Sequence, residues 1–403
     1  MPGPATQEIH ESALGQRLKK LRLAHGFSLD ELVAEIGGIV SKQALSNYER
    51  DKAKPSPVVL NKLAVAFGLK SAQIWSEPRI HVQFVAYRKT SSLGKREQEK
   101  VESLVTLTLE DRVRMQELTG FDNKHELPVQ KWRINDLEEA EHCASELRNL
   151  WDLGIDPIAC LTDVFERHFV HVIEISANEK FDGIAAFASD EDESVIAAAV
   201  VSRSGLSGER QRLNLAHELG HLVLDVDSGL DEEKAVFRFA AALLAPAESI
   251  YKEVGTKRAY IQPEELLLLK RCFGMSVQAL VFRLHDLNII NDSYYKQWWI
   301  DISRLGWRRH EPMELAPEEP KWLRQNTLRA FSEGLISESE ASRLLQQRVE
   351  KQEELSLIER RAFLSLPIVE RRRIMEEQAR KAAAFYEKEL KIEELQGGDL
   401  IEY

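Results

Sequence analysis

The chain of 403 residues is poor in cysteine and has no long apolar runs. Its three cysteines, Cys143, Cys160 and Cys272, are far apart and form no CxxC pair, so we expect buried free thiols in a reducing cytoplasm. No apolar run approaches the roughly 18 residues of a membrane span, and the first residues have no signal-peptide pattern. These absences exclude a disulfide-rich secreted protein and predict a cytoplasmic protein without a membrane partner.

An overall excess of positive charge is also missing. The net charge of −12 at neutral pH argues against a protein that coats nucleic acid over its whole surface. The charge is uneven, because residues 1–78 hold ten Lys or Arg and eight Asp or Glu, which puts this segment near +2 and the remainder near −14. Since a sequence-reading DNA module needs only a local basic patch, the N-terminal segment is a candidate for one.

The most informative stretch is His217-Glu218-Leu219-Gly220-His221, which has the pattern HExxH. If residues 214–224 are helical, both imidazoles lie on one face and can reach one metal ion. Glu218 then lies beside them, where it can take a proton from water. The flanking residues are mostly apolar and predict a buried helix. The alternative interpretation is a chance match in which two histidines of a buried helix make ordinary hydrogen bonds.

A catalytic zinc site needs a third protein ligand and one open position. The stretch from Asp231 to Pro246 has Phe, Ala and Leu at helical spacing. It resembles the second helix of the ImmA/IrrE family of zinc metallopeptidases, whose motif reads roughly E-x-x-A-N-x-F-A-x-x-L-L-x-P. This resemblance implies Zn²⁺ as the cofactor and Glu233 as the third ligand, with Glu232 out of register as a neighbour. At Phe237 the chain departs from the pattern, which usually has a polar residue that can orient a ligand.

The alternative interpretation of Glu233 is a solvated charge that stabilises the start of a helix. The resemblance to the metallopeptidase family nevertheless extends over about residues 135–300. Within this range, residues 169–175 and 195–201 are predicted strands, and Phe181-Asp182-Gly183 is the predicted turn between them. We expect a helix pair around Gly274 to follow the metal-binding helices.

Residues 13–75 resemble the Cro-type helix-turn-helix domain of phage repressors and bacterial regulators. An amphipathic helix begins near Leu14, and Ser28 and Ser41 are suitable N-caps for the next two helices. The pair Gly38-Ile39 resembles a two-residue insertion in the turn between those helices. The alternative interpretation is a helical protein–protein module with a solvated polar face.

The predicted recognition helix follows Ser41 and carries polar side chains that suit base edges and phosphates in the major groove. The outward residues expected to contact DNA are Lys42, Gln43, Ser46, Asn47 and Arg50, followed by the cations Lys52 and Lys54. Because one such domain reads only a half-site, we expect a homodimer on a pseudo-palindromic operator in double-stranded DNA.

The predicted fold class is mostly α with a small β-sheet (α+β). It comprises a helix-turn-helix domain over 13–75, a linker strand and helix over 76–134, a zincin-like metallopeptidase domain over 135–310 and a helical C-terminal region over 311–403. Within the linker we expect a strand at residues 81–87 and a helix beginning near Arg96.

The last 45 or so residues resemble small antitoxins that are encoded beside ribonuclease toxins of the PIN class. The resemblance rests on an "LP…ERRRI…QA" stretch after Phe363 and on the terminus Gly398-Asp399-Leu400-Ile401-Glu402-Tyr403. It implies an amphipathic tail that enters a partner's groove, with the partner-binding residues Phe363, Leu366, Asp399, Glu402 and Tyr403. The alternative is a helical tail that packs on its own dimer.

Two functions follow from these patterns. The first is a DNA-binding transcriptional regulator whose zinc-dependent metalloendopeptidase domain cleaves a regulatory protein. The alternative is an antitoxin and autorepressor of a toxin–antitoxin operon that neutralises a neighbouring toxin through its tail. A repressor gene beside this one would favour the first function, and a toxin gene would favour the second.

Overall fold

The computed structural model describes residues 13–75, 80–87, 94–120, 129–179, 181–308, 310–350 and 363–389. The chain divides into two compact units, Met1–Arg348 and Val349–Tyr403. Helices dominate, together with one four-stranded and one two-stranded sheet, which confirms the predicted fold class. Within the described residues, the helices are all too short or too polar to span a membrane.

The first five helices form a bundle with its own core. Helices α1 to α5 are Ala13–Ala24, Leu29–Glu35, Lys42–Glu49, Pro57–Ala66 and Ser71–Trp75. The predicted N-caps are confirmed, because the Ser28 hydroxyl accepts from the Glu31 amide at 3.1 Å and the Ser41 hydroxyl accepts from the Ala44 amide at 3.2 Å. The Glu31 carboxylate also accepts from the Ser28 amide at 2.6 Å, which completes a capping box.

A buried ion pair fixes α3 relative to α1. Arg22, which is 8% exposed, donates from Nε to Glu49 Oε1 at 2.6 Å and from Nη2 to Glu49 Oε2 at 2.8 Å. Its Nη1 donates to the carbonyl of Phe27 at 2.9 Å. These three bonds offset the loss of hydration on burial of the Arg22 guanidinium. The paired contact with Glu49 also sets the orientation of α3.

The remaining helices surround and extend the sheets. Helices α6 to α10 are Lys95–Leu118, Leu137–Leu150, Leu161–Arg167, Gly208–Val223 and Glu232–Leu244. Helices α11 to α14 are Ala247–Val254, Pro263–Phe273, Val277–Asp286 and Asp292–Arg304. Helices α15 and α16 are Trp322–Ser332 and Glu338–Leu345, and α17 of the second unit is Ile368–Glu389. Between α12 and α13, Gly274 adopts a φ of +64°, which confirms the predicted helix pair.

The larger sheet has the strand order β1-β4-β5-β3. Strands β1 (His81–Tyr87), β4 (Gly183–Ser189) and β5 (Val195–Arg203) pair antiparallel, whereas β3 (Val170–Ile175) pairs parallel with β5. The smaller sheet pairs β2 (Trp132–Ile134) parallel with β6 (Leu224–Val226), which directly follows α9.

Strand β4 was not predicted from the sequence. The expectation of a simple turn at residues 181–183 between two strands is wrong, because Gly183 already pairs with Ser202 of β5. The sequence of β4 is rich in alanine and lacks the run of β-branched residues that indicates a strand. The strand is stabilised instead by pairing with β1 on one side and β5 on the other, and by the burial of both of its faces.

Both faces of the larger sheet are buried. Along β5, Ala199 and Val201 contact the core beneath α6, whereas Ala198 and Val200 contact the core that contains α9. Strand β1 and helix α6 therefore belong to the structure of this sheet, although their sequence predicts a linker. The segment between the two predicted domains thus supplies the edge strand β1 of the larger sheet and the helix α6 that packs on one face of it.

Helix α10 is held against α7 and α13 by a cluster of ion pairs. The fully buried Arg283 donates to Glu141 Oε2 at 2.6 Å, and Arg238 donates to the same oxygen at 3.1 Å. Burial raises the pKa of Glu141, but the bonds and charges of Arg283 and Arg238 outweigh it and bring the pKa below its ordinary value. Glu141 therefore stays ionised and anchors the middle of α10.

The expectation of buried thiols is only partly correct. Cys143 is buried, Cys160 is half-buried and Cys272 is exposed. Burial raises the pKa of Cys143 to about 11, which makes this thiol unreactive near neutral pH.

Candidate metal centre and nucleic-acid interface

Helix α9 places the HExxH residues on a buried face. His217, Glu218 and His221 are 1%, 2% and 4% exposed. The apolar residues of α9 that flank the HExxH residues are fully buried in the surrounding core and fix the helix there, namely Leu215, Ala216, Leu219, Leu222 and Val223. Because the packing of α9 is tight, its two imidazoles are held in place by the fold.

Gly220 lets α10 approach α9 closely. A Cβ atom at this position would lie 2.8 Å from Cγ1 of Val236 on α10, a distance that real Cβ atoms do not show. The N-terminus of α10 is capped by Asp231, whose side chain accepts from the Lys234 amide at 3.3 Å. The first turn of α10 therefore begins beside the histidines and carries Glu233 to them.

The three residues predicted as metal ligands come together. One ligand atom from each of His217, His221 and Glu233 lies within 4.8 Å of the other two. The two Nε2 atoms are 3.2 Å apart, and the Glu233 oxygens are 3.5 Å from His217 Nε2 and 3.8 Å from His221 Nε2. Donors held tetrahedrally at about 2.0–2.1 Å from one zinc ion lie about 3.3 Å apart. The donor set and its spacing therefore fit a zinc ion.

Glu232 has a role that the sequence did not indicate. Its Oε1 lies 3.1 Å from Nδ1 of His221, on the opposite side of the ring from the ligand cluster. A neutral imidazole carries one N–H, and a bond from Nδ1–H to Glu232 leaves a lone pair on Nε2. The two neighbouring carboxylates thus differ in position. Glu233 lies with His217 and His221 in the candidate ligand cluster, whereas Glu232 bonds to the far side of the His221 ring and orients it.

Phe237 occupies the position where the resembling family usually has a polar residue. Its ring centroid lies 4.3 Å from that of His217, and the residue is 40% exposed. A phenyl ring offers His217 an apolar contact in place of a carboxylate or amide. In this chain Glu232 contacts the ring of His221, and Phe237 contacts the ring of His217.

Gly183 makes room for the carboxylate of Glu218. A Cβ atom at Gly183 would lie 2.5 Å from Glu218 Oε1 and 2.8 Å from its Cδ. The sequence interpretation missed this residue, because a glycine after Asp182 indicates a turn. The first residue of β4 thus passes directly beside the carboxylate that would act on water.

Comparison with protein families supports both halves of this description. The family described as IrrE N-terminal-like domain matches residues 166–285, and the family described as Helix-turn-helix matches residues 18–74. The chain joins a helix-turn-helix domain to an IrrE-like peptidase domain. The peptidase match contains all three candidate ligands together with Gly183 and Glu218. No curated protein matches the chain.

In the helix-turn-helix domain, α3 presents most of the predicted DNA contacts to solvent. Lys42 and Gln43 are exposed, and so are Lys52 and Lys54 after the helix. Lys42 Nζ pairs with Asp30 Oδ2 of α2 at 2.6 Å, and Gln43 Nε2 donates to the half-buried Asn47 Oδ1 at 3.2 Å. These side chains can exchange their mutual bonds for bonds to base edges.

Ser46 does not point outward, so this part of the prediction is wrong. The residue is 8% exposed, and its hydroxyl accepts a bond from Nη2 of Arg50 at 2.6 Å. Ser46 therefore lies beneath the exposed Arg50 and orients it. The helical spacing alone could not distinguish a small polar residue at the edge of the core from one in solvent.

The tail residues are described only in part. Phe363 and Leu366 are half-buried, whereas the predicted contacts at Asp399, Glu402 and Tyr403 lie outside the described residues.

Proposed function

We propose that this chain is a DNA-binding transcription regulator whose IrrE-like domain is a zinc-dependent endopeptidase that cuts a regulatory protein. The observation that carries the proposal is the convergence of His217, His221 and Glu233 within 4.8 Å. The match to a peptidase family over the same residues supports it. The helix-turn-helix match supports an operator in double-stranded DNA as the second ligand.

The residues of the site suggest how they would divide the reaction. His217, His221 and Glu233 would hold zinc, which supplies a Lewis acid when it is bound. Glu218 takes a proton from the attacking water and returns it to the leaving amine as the peptide bond breaks. Because Glu218 is 2% exposed, the fold limits competition from bulk water at this carboxylate. Glu232 keeps the imidazole of His221 in the orientation that the ligand set requires.

The kind of substrate follows from the fusion of the two domains. The DNA-binding domain and the peptidase domain lie in one compact unit, Met1–Arg348. A protein that brings a peptidase to an operator can act on other proteins that regulate the same promoter. A regulatory protein that acts at the same promoter is therefore the substrate that we favour.

Metal analysis of purified variants tests the catalytic half. We expect about one zinc ion per wild-type chain and its loss in His217→Ala, His221→Ala and Glu233→Ala, because each removes one of three ligands. Glu218→Gln is the matched control, which should keep the zinc and lose peptide cleavage. Full zinc retention in Glu233→Ala would overturn the assignment and move it to Glu232.

The tail favours a second candidate function, capture of a partner protein. In the described part of the second unit, several large apolar side chains are between 58% and 76% exposed, namely Leu364, Ile368, Val369 and Met375. Exposed apolar side chains on an amphipathic helix are typical of a segment that docks into a groove. In this function the chain is an antitoxin and autorepressor, and the partner is a neighbouring toxin.

A pull-down against the product of the adjacent gene tests this second candidate. Deletion of residues 356–403 should abolish capture and leave zinc content and DNA binding unchanged, because both sites lie in the first unit. Equal capture by the full-length and shortened chains would reduce the tail to a structural element.

A further inference from the structure

Two cations in the first two turns of α6, Arg96 and Lys100, lie beside the helix-turn-helix domain, and Lys95 directly precedes Arg96. We call Lys95, Arg96 and Lys100 the α6 cluster. Arg96 Nη2 is 3.8 Å from Glu31 Oε2 of α2, and the Lys100 Nζ is 3.8 Å from the position that a Cβ at Gly26 would take. Arg96 and Lys100 are four residues apart, so both can face the same neighbouring domain. The cluster lies outside the residues that match the helix-turn-helix family.

A short series of contacts connects the α6 cluster to the front of the recognition helix. Lys42, the first residue of α3, pairs with Asp30 at 2.6 Å, and Asp30 is the neighbour of Glu31 in the first turn of α2. Glu31 in turn faces Arg96. The first turns of α2, α3 and α6 therefore lie side by side.

The way in which helix-turn-helix domains generally dock on DNA indicates what the first turns of α2, α3 and α6 face. The recognition helix enters the major groove with its N-terminal residues, and the preceding helix crosses the phosphate backbone. The first turns of α3 and α2 are thus on the DNA side. The exposed Arg96, which lies next to the first turn of α2, can therefore reach the phosphates that flank the groove.

We propose that the α6 cluster is a phosphate-contacting site that extends the DNA interface beyond the helix-turn-helix domain. The ligand is the backbone of double-stranded DNA, which the cluster recognises by charge and not by sequence. This inference rests on the proposed DNA binding by α3.

The charge of Arg96 is available for such a contact. The Arg96 side chain is 71% exposed, and its pairing with Glu31 at 3.8 Å is at the limit of an ion pair. Glu31 is also occupied, because its carboxylate accepts from the Ser28 amide at 2.6 Å. An exposed ion pair of this kind is weak and is readily exchanged for a phosphate.

Helix α6 also joins the cluster to the peptidase domain. Further along α6, Val105, Leu109 and Val113 are buried against the larger sheet. Leu107 packs against the core of the helix-turn-helix domain. One helix would therefore contact phosphate with its first turns and the peptidase sheet with its body.

The salt dependence of binding to a duplex of about 30 base pairs of random sequence tests the inference. The triple variant Lys95→Gln, Arg96→Gln, Lys100→Gln should bind less tightly, and the slope of log affinity against log salt should fall by about 0.9 for each lost contact. The matched control replaces three exposed cations of the α11–α12 region, Lys252→Gln, Lys257→Gln and Arg271→Gln, and should keep the wild-type slope. Arg96→Lys, which retains the cation, should also keep it.

The outcomes separate the two proposals. A wild-type slope in the triple variant, or an equal loss in the control, would overturn the inference and leave DNA binding by α3 intact. Failure of the wild-type chain to bind any duplex would overturn the proposed function itself. Thermal unfolding of each variant identifies misfolding, and the single variant Arg96→Gln, which should lose about one contact, then replaces the triple variant.

Discussion

The candidate metal centre and the predicted DNA-binding face differ in how the fold holds their residues. At the candidate metal centre, His217 and His221 are buried, Gly183 leaves room for Glu218, and Gly220 lets α10 approach α9 closely. On α3, most of the predicted DNA contacts are exposed; Lys42 pairs with Asp30 of α2, and Gln43 bonds to Asn47. A buried site therefore depends on the shape of its neighbours, whereas an exposed face depends on the identity of its own side chains.

This difference predicts where each function is most vulnerable. Around the metal centre, a change at a residue that touches neither water nor metal can displace a reacting group. On the DNA face, single changes should reduce binding by one contact at a time. The variants that follow test this contrast, in order of decreasing effect.

Gly183→Ala should have the largest effect. The new Cβ would overlap Glu218, so the carboxylate must move, and a displacement of about 1 Å can reduce a catalytic rate by about 100-fold. Zinc content should stay at the wild-type value because the ligands lie on α9 and α10. The measurement is cleavage of the protein substrate together with metal analysis.

Gly229→Ala is the control for that experiment. A Cβ at Gly229 would meet only Asp227 Oδ1 at 3.4 Å, an ordinary contact, so activity should be unchanged. Wild-type activity in Gly183→Ala would show that the sheet can shift away from Glu218, and it would weaken the contrast between the two sites.

Glu232→Ala tests whether the bond from Glu232 to Nδ1 of His221 contributes to zinc affinity. Loss of such a partner typically costs about 10- to 100-fold in metal affinity, and we expect this loss in competition with a zinc chelator. Glu232→Gln keeps a bond acceptor for Nδ1 of His221 and should restore most of the affinity. Asp231→Asn removes the same charge one residue away and should have no effect. Equal losses in Asp231→Asn and Glu232→Ala would reduce the role of Glu232 to general electrostatics.

On the DNA face, replacement of Gln43 or Asn47 by Ala should weaken binding to the cognate operator by about 1–3 kcal/mol and relax sequence preference. Replacement of Lys52 and Lys54 by Gln should weaken binding to all sequences alike and flatten its salt dependence. The measurement is affinity for a selected operator and for single-base variants of it. Unchanged discrimination in both the Gln43 and the Asn47 variant would contradict the assignment of α3.

Ser46→Ala should have the smallest effect on DNA recognition. The hydroxyl bonds to Arg50 and lies out of solvent, so its loss should reduce the free energy of unfolding by about 0.5–1.5 kcal/mol and leave base discrimination as it is. Chemical denaturation and operator binding measure the two quantities. A change in base preference would mean that Ser46 reaches DNA despite its burial.

The residues that were predicted from sequence are those whose chemistry is carried by spacing along one helix. His217, Glu218 and His221 lie within five positions, and α9 had to be helical for its apolar flanks to be buried. Ser28 and Ser41 likewise announce the starts of α2 and α3. In each case the local pattern contains all the information that the structure uses.

What the sequence did not reveal arises between elements that are distant along the chain. The role of Gly183 depends on a strand that is stabilised by pairing on both sides, and alanine-rich β4 carries little strand signal of its own. Glu232 was visible as a neighbour of Glu233, but its bond to His221 depends on the angle at which α10 crosses α9. Ser46 was misplaced because helical spacing alone does not distinguish a small polar residue at the edge of the core from one in solvent.

The contribution of β1 and α6 to the larger sheet limits how this protein can be divided or recombined. A peptidase that began at residue 135 would expose the edge of β4 and the apolar side of β5, and such edges tend to pair with other chains and aggregate. A different DNA-binding domain could replace the present one only at a junction before Ile80. The surface of α6 around Leu107 would then also have to change, because it packs against the present domain. A folded peptidase fragment of this chain should therefore begin no later than Ile80.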